Sequence, residues 1–339
     1  MNARRTVHVL SQYLWPDDAP TGIYAEQVAD AIAEDGVSVR LVGGQGHYRE
    51  GRRPAPHTRI ERVMHFEGRR GKLVSTTREY ESVRKAFGSY ISSQVGTGDI
   101  VVVSSAPPTT LLLERLIRER DALGVYWLQD YYPELVRGVW DAPAPVRRLF
   151  DRYWTRELLG WPHVVKAAGN LGYHGPNATV IRNWNTLDLG PSVPFCPGTA
   201  LYSGNMGYGH HVPSFVALCQ TLHDQGIEIK VRGDGPGVSQ LPDWIRVATP
   251  FVKQQDTIRA YWEAEMHLIA GHPVFGGAVF PSKFWNAHAT GRRVLASGFT
   301  GVMATELDVA RVSDFRSHLA QWKHFLLRLV DNRTPTRRV

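Results

Sequence analysis

The chain has 339 residues, too many for one ordinary open-sheet domain and enough for two, each able to bury a core without covalent staples. Its 39 Lys+Arg exceed 32 Asp+Glu by a formal +7, which suits an anionic substrate, a nucleic acid or an acidic membrane surface and selects none of them. Two cysteines, Cys196 and Cys219, exclude a disulfide framework and a cysteine metal cluster, and they fit a reducing compartment.

The polar start Met1–Thr6 leads straight into the short apolar run Val7–Leu10. A signal peptide needs a longer apolar core, and a membrane span needs roughly 20 apolar residues. The expectation is a soluble cytoplasmic protein, at most peripheral on the inner face of the membrane. Val7–Leu10 predicts a buried strand. After a turn-rich segment, Ala25, Val28, Ala29 and Ile32 recur at helical spacing, and Gly36 suits the end of that helix. Strands are predicted at Val37–Val42, Asp99–Val103 and Val125–Leu128, with a helix over Thr109–Arg120. Trp184–Gly198, with Pro191, Pro194 and Pro197, reads as a linker.

A second series follows. Strands are predicted at Ala200–Tyr202, Ile227–Val231, Met266–Ala270 and Val294–Ala296, with a helix at Val212–His223. The tail Val312–Val330 reads as one amphipathic helix, placing Phe315, Leu319, Trp322, Phe325 and Leu329 on a shared face. Strands alternating with helix-length segments predict two successive parallel-sheet α/β domains. In such folds ligands bind at the carboxyl ends of strands.

Three strand-end segments carry chemistry. Ser203-Gly204-Asn205-Met206-Gly207, ending in His210, lies between a strand and a helix, where glycines let the backbone approach a ligand and a helix start favours an anion; a tight turn is the other reading. Arg232-Gly233-Asp234-Gly235-Pro236 offers an arginine able to pair with phosphate, or only a surface arginine after a turn. Pro281-Ser282-Lys283 opens a helix, with Ser282 as its N-cap and Lys283 in the first turn. A cation there opposes the helix dipole, which points to an anionic ligand; an exposed solvated lysine is the alternative.

Together these segments resemble the C-terminal domain of retaining GT-B glycosyltransferases of the family-four type, in family order, with Gly291-Arg292-Arg293-Val294-Leu295-Ala296 completing the series. In the first half, Gln12–Pro16 with Thr21-Gly22 resembles the family's first glycine-containing loop. Trp127–Glu134 resembles an Asp-aromatic-Pro segment of a bacterial branch, and Val180–Trp184 the approach to the interdomain linker. The resemblance covers most of residues 6–300 and implies the GT-B fold, two Rossmann-like domains facing across a cleft. Residues 1–190 would bind the acceptor and 191–311 the nucleotide-sugar; 312–339 would cross back to the first domain. Residue by residue, it implies a donor site of Gly22, Ser203, Gly204, Asn205, Gly207, His210, Gly233, Asp234, Gly235, Gly276, Gly277, Ser282 and Asn286. Lys283 and Arg232 would stabilise charge developing on the leaving diphosphate. No cofactor is implied beyond the nucleotide-diphosphate sugar, a UDP- or GDP-linked hexose.

The chain also departs from the family. Two glutamates that many members carry eight positions apart correspond here to Ala278 and Asn286, and Tyr208 and His210 stand where many members have Arg and Lys. Phosphate charge would then be met by Arg232, Lys253, Lys283 or helix dipoles. There is no Asp-x-Asp element and no grouped His/Cys set, so metal-independent transfer with retention is expected. Asp130 is the acceptor-side candidate, able to orient or deprotonate a hydroxyl, or else to cap a turn; His47 is a second. The acceptor would be a natural-product intermediate or a lipid-linked glycan precursor. Arg69, Arg70, Lys72, Arg78, Arg84 and Lys85, and then Arg147, Arg148, Arg152 and Arg156 among Leu149, Phe150, Tyr153 and Trp154, form basic stretches suited to anionic lipid or to plain solvation. Nucleic-acid binding is not expected, because the charge is scattered without a recognition motif. Two other classes remain: a non-catalytic partner subunit, suggested by the missing glutamates, and a dinucleotide oxidoreductase, for which Gly43-Gly44-Gln45-Gly46 lacks the full glycine spacing.

Overall fold

The computed structural model describes residues 5–44, 53–66, 73–139, 143–207, 209–248 and 254–331. Within them the chain forms two all-parallel sheets. The first holds β1 (Thr6–Ser11), β2 (Ser38–Gly43), β3 (Ile60–Arg62), β4 (Ile100–Ser104), β5 (Leu123–Leu128), β6 (His163–Lys166) and β7 (Ala178–Val180), ordered β3-β2-β1-β4-β5-β6-β7. The second holds β8 (Cys196–Ser203), β9 (Glu228–Arg232), β10 (Arg246–Ala248), β11 (Ala264–Ala270) and β12 (Arg293–Ser297), ordered β10-β9-β8-β11-β12.

Each order reverses once, between β1 and β4 and between β8 and β11. Connections leave in opposite directions there, so the carboxyl ends of these two strand pairs open crevices. The central residues of both pairs are buried; Val7, Val9 and Ile100–Val103 are sealed from solvent. Parallel strands covered on both faces must be largely apolar on both, so they read as short apolar runs, interrupted here by the buried His8 and His267.

The helix expected at Val212–His223 forms with those bounds, and His211 caps it by accepting from the Ser214 N–H at 3.3 Å. One helical expectation needs correction. The segment after β4 begins as a 3-10 turn over Pro108–Leu113 and becomes α-helical only over Glu114–Glu119. There the Thr110 hydroxyl donates to the Ser104 and Pro107 carbonyls at 2.8 and 2.7 Å, drawing the first turn tight. The tail helix expected over Val312–Val330 forms over Arg316–Asp331; the helix Gly301–Val312 precedes it, and Ser313 and Asp314 separate the two, so Phe315 lies just before the last helix. The Ser313 hydroxyl closes the first helix on the Ala310 carbonyl (2.9 Å), and the Asp314 carboxylate accepts from the Arg316 N–H (3.2 Å) to open the second.

That break separates two cores. Phe315 stays packed against the second domain with Phe284, Trp285 and Leu307. Trp322 and Leu326 are sealed into the first domain with Val9, Val28, Trp127 and Trp184, the Trp127 and Trp322 rings lying 4.3 Å apart. A buried indole of this kind is worth about 3–5 kcal/mol, enough to tie the last helix to the first domain.

Candidate active site

The β8/β11 crevice is built from interlocked loops. Past β8, Gly204 N–H donates to the Arg232 carbonyl (2.8 Å), Met206 N–H to the Asp234 carbonyl (2.7 Å), and Gly237 N–H returns to the Met206 carbonyl (2.9 Å). Two expected segments, Ser203–Gly207 and Arg232–Pro236, thereby become one double loop. Gly233 makes it possible: a β-carbon there would stand 1.9 Å from the Gly204 carbonyl oxygen, and backbone cannot yield. Gly235 lies in the same seam against the Asn205 side chain, and Asp234 is exposed beside it.

Lys283 enters from the third segment. Its ammonium donates to the Asn205 carbonyl at 2.8 Å and to the Tyr202 hydroxyl at 3.3 Å, and it lies 5.1 Å from the Tyr202 ring centre. Gly204 leaves the room for it. With φ at +130°, a β-carbon at 204 would sit 2.1 Å from Lys283 Cε. Gly204→Ala is therefore expected to destabilise the protein by about 1–3 kcal/mol through backbone strain. It should also displace the ammonium, since the far end of a lysine moves more cheaply than backbone. Urea unfolding measures the first effect, and a rise in the His210 pKa, which the Lys283 charge helps to lower, measures the second by NMR titration of the ring.

His210 adjoins this cation. Burial and the nearby Lys283 charge lower its pKa to about 4, so the ring is neutral at physiological pH. Nδ1 contacts the Gly207 carbonyl at 3.1 Å; as donor there, it leaves Nε2 an acceptor. Ser203 ends β8 and is half-buried where the double loop begins. Arg232 supports the loop through its carbonyl. Its side chain lines a cavity of about 140 Å³ with Lys230, Arg246 and Glu263, beside β9 and β10.

Other expected residues are placed differently. Gly22 is buried and its N–H donates to the Ala19 carbonyl (3.0 Å); a β-carbon would meet the Tyr13 carbonyl at 1.5 Å. A glycine there lets the helix Pro20–Ala33 pass close under the loop after β1. Ser282 has helical dihedrals and makes no side-chain capping bond. The Asn286 amide faces the interdomain linker: its oxygen accepts from the Thr186 N–H at 2.7 Å, and its nitrogen donates to the Thr186 hydroxyl at 3.2 Å. It is thereby committed to the linker and not presented to a ribose. Ala278, the other substituted position, is fully buried, where a glutamate would be desolvated. His47, Arg69, Arg70, Lys72 and Lys253 lie outside the described residues.

Gly276 and Gly277 sit on the seam between domains. Asn170 Nδ2 donates to the Gly276 and Val279 carbonyls (2.6 and 2.9 Å), Gly172 N–H to the Gly277 carbonyl (2.9 Å), and Tyr131 N–H to the Ala278 carbonyl (2.7 Å). No described residue accepts from the Gly277 N–H. Asn170 was not singled out from sequence, and Tyr202 was read only as the residue that opens the 203–210 segment, with no role of its own. Each is ordinary in type, and only the fold aims it at a partner 81 to 109 residues away. Arg182, paired with Glu306 at 2.7 Å, joins the domains further along the seam.

Across the seam Asp130 follows β5. The buried Ser105 hydroxyl accepts from the Gln129 and Asp130 N–H groups (3.0 and 3.3 Å), fixing the strand end. No described residue donates to the Asp130 carboxylate, and burial pushes its pKa up to about 6. Its neighbour Tyr131 is bonded to the loop that leads to Lys283. Among the described residues there is no group of three or more His, Cys, Asp or Glu able to hold a metal ion, and no helix long and apolar enough to cross a membrane.

No family model matches the chain, and no curated protein matches it in sequence. Solved structures match in fold. The catalytic domain of starch synthase IV from Arabidopsis thaliana, bound to ADP and acarbose, superposes with a TM-score of 0.60 at 10% identity, over 97% of this chain and 96% of that one. The pneumococcal O-GlcNAc transferase GtfA, in complex with UDP and GlcNAc, gives 0.58 at 7%, over 98% and 100%. Anabaena Alr3699/HepE, in complex with UDP and glucose, gives 0.53 at 12%, over 96% of each chain. Two parallel-sheet domains joined in this manner over nearly the whole length give this chain the GT-B fold of glycosyltransferases.

Proposed function

We propose that the chain is a glycosyltransferase that moves a hexose from a nucleoside-diphosphate donor to an acceptor hydroxyl, with retention and without a metal ion. The observation that carries this reading is the convergence of Lys283 on the Ser203–Gly207 loop at the β8/β11 switch point, where a diphosphate would meet an ammonium and loop amides. The nucleotides bound to similar folds, ADP in the Arabidopsis structure and UDP in the pneumococcal and Anabaena ones, are of that chemistry.

In this mechanism the bond from the anomeric carbon to the diphosphate oxygen breaks first. Lys283, with the amides of the 203–207 loop other than those of Gly204 and Met206, stabilises the negative charge left on that oxygen. His210, held neutral beside Lys283, gains a proton more readily once the anion arrives, and then becomes a second donor. Asp130, with its pKa near 6, is ionised at neutral pH and receives the acceptor proton. Arg232 lines a cavity along β9 and β10 whose other charged groups are Glu263 and the Lys230 and Arg246 cations, both paired with Glu228. The acceptor is a natural-product intermediate or a lipid-linked glycan precursor, and the protein works in the cytoplasm or on the inner membrane face.

A second reading, a GT-B partner subunit that binds nucleotide without turnover, draws on the Asn286 amide being committed to Thr186. One experiment separates them. Thermal-shift screening against UDP, GDP and ADP and their hexose conjugates should show selective stabilisation by one nucleotide. Donor consumption should follow, with the anomeric configuration read by NMR. Stabilisation without consumption by any acceptor supports the partner subunit, and silence toward every nucleotide refutes both.

A further inference from the structure

The helix Ala144–Gly160 buries Trp154 and Leu158 and turns a different chemistry to solvent. Leu149 is 70% exposed, with Val146 and Tyr153 exposed beside it. Arg148, Arg152 and Arg156, each four residues apart, form an exposed stripe along the same outward side. The neighbouring helix Leu73–Gln94 extends this surface. Arg84 stands close enough to Tyr153 for its charge to act on the phenol, and Lys85 is exposed next to it. Farther along, the Arg78 guanidinium lies 4.5 Å over the ring of exposed Phe66, near Met64, which is 74% exposed. Glu81 is tied to Arg84 and Lys85, Asp151 to Arg137, and Glu157 is half-buried.

From this arrangement we infer that the flank formed by Met64, Phe66, Leu149, Tyr153 and the arginines around them docks on an anionic lipid bilayer. Apolar tips ringed by guanidinium groups match the headgroup boundary, where the tips enter the acyl region and the arginines pair with phosphates. A nucleic acid would use the arginines and leave the exposed Leu149 side chain in water. The surface also has a direction. Trp154 packs against Tyr132 at 5.7 Å, two residues beyond Asp130. Resting on the proposed transfer reading, a docked bilayer would present the hydroxyl of an amphiphilic acceptor to the Asp130 side of the cleft. The docking itself does not require that reading.

Vesicle co-sedimentation of the full chain tests the inference, with phosphatidylcholine vesicles compared against vesicles also containing phosphatidylglycerol, at low and high salt. Binding to the anionic vesicles alone is expected, weakened by salt. The triple variant Arg148→Ala/Arg152→Ala/Arg156→Ala should lower partitioning by about a hundredfold. Leu149→Glu, at an exposed position, should lower it by about tenfold. No sedimentation with anionic vesicles at low salt overturns the inference, as does equal binding to neutral vesicles or indifference to the triple variant. Sensitivity to the arginines with none to Leu149→Glu would reduce the contact to charge adsorption and likewise refute docking by insertion. Nucleotide-induced thermal shifts are measured on the same variants. Vesicle binding with no nucleotide response would sink the transferase reading and leave the docking surface standing.

Discussion

Lys283→Ala is expected to abolish nucleotide-induced stabilisation and to lower turnover by about 10²–10³-fold while leaving the protein folded. The asymmetry follows from the local bonds. In the free protein the ammonium donates to the Asn205 carbonyl and the Tyr202 hydroxyl, yet that hydroxyl itself donates to the same carbonyl at 3.1 Å. Removing the lysine leaves the carbonyl satisfied, and the double loop keeps its Gly204–Arg232 and Met206–Asp234 bonds. The stability cost should be about 1 kcal/mol. A second readout is internal. The Lys283 charge is one of the causes that hold His210 at about 4, so in the variant the His210 pKa should rise, measurable by NMR titration of the ring. An unchanged donor response with a shifted His210 would show that the ammonium does not meet the donor.

Asp130→Asn should do two opposite things. Transfer should fall by about 10²–10⁴-fold, because the amide cannot take the acceptor proton. Stability should rise at alkaline pH. The folded pKa of about 6 lies above the ordinary 3.8, so folding is disfavoured by the charged form. This penalty is absent below about pH 4, grows as pH rises through 6, and is complete above it. Asparagine removes it, giving the variant an advantage of up to about 3 kcal/mol at pH 8 that vanishes near pH 4. Paired melting curves across that window check the sign. A variant less stable than the parent at pH 8 would mean that the carboxylate has a favourable partner and is structural. In the parent enzyme, activity should fall as pH drops through 6, where Asp130 takes up a proton.

The two residues differ in how they could be found. Lys283 was visible as a local oddity, a cation in a first helical turn beside a Pro-Ser start. Asp130 was visible only as a carboxylate at a strand end, a position that many harmless aspartates occupy. Its significance comes from burial without a donor and from the Tyr131–Ala278 bond that places it one residue from the other domain. Misplaced expectations have a common cause. Gly22, Ser282 and Asn286 stand at the expected spacing, but the Gly22 N–H is bonded to Ala19, the Asn286 amide is bonded to Thr186, and the Ser282 hydroxyl does not cap the helix it opens. Spacing records where a residue stands along the chain and not what its polar atoms face. Short strands β3, β6, β7 and β10 escaped for a related reason: three or four residues are too few for a period to register.

The Lys283 site was thus readable as three segments and not as one structure. By itself the sequence determined the two series of parallel strands, the glycines that let loops 203–207 and 232–237 approach, and the cation that follows them. Those depend on near-neighbour sterics and apolar runs, which are local properties of a chain. Only the tertiary structure decided that the two loops interlock, that Tyr202 holds the Lys283 ammonium, that the tail breaks at Ser313 to serve two cores, and that Asn286 faces the linker. Each of these depends on which polar atom finds which partner across long stretches of chain, and that is fixed by packing, not by periodicity.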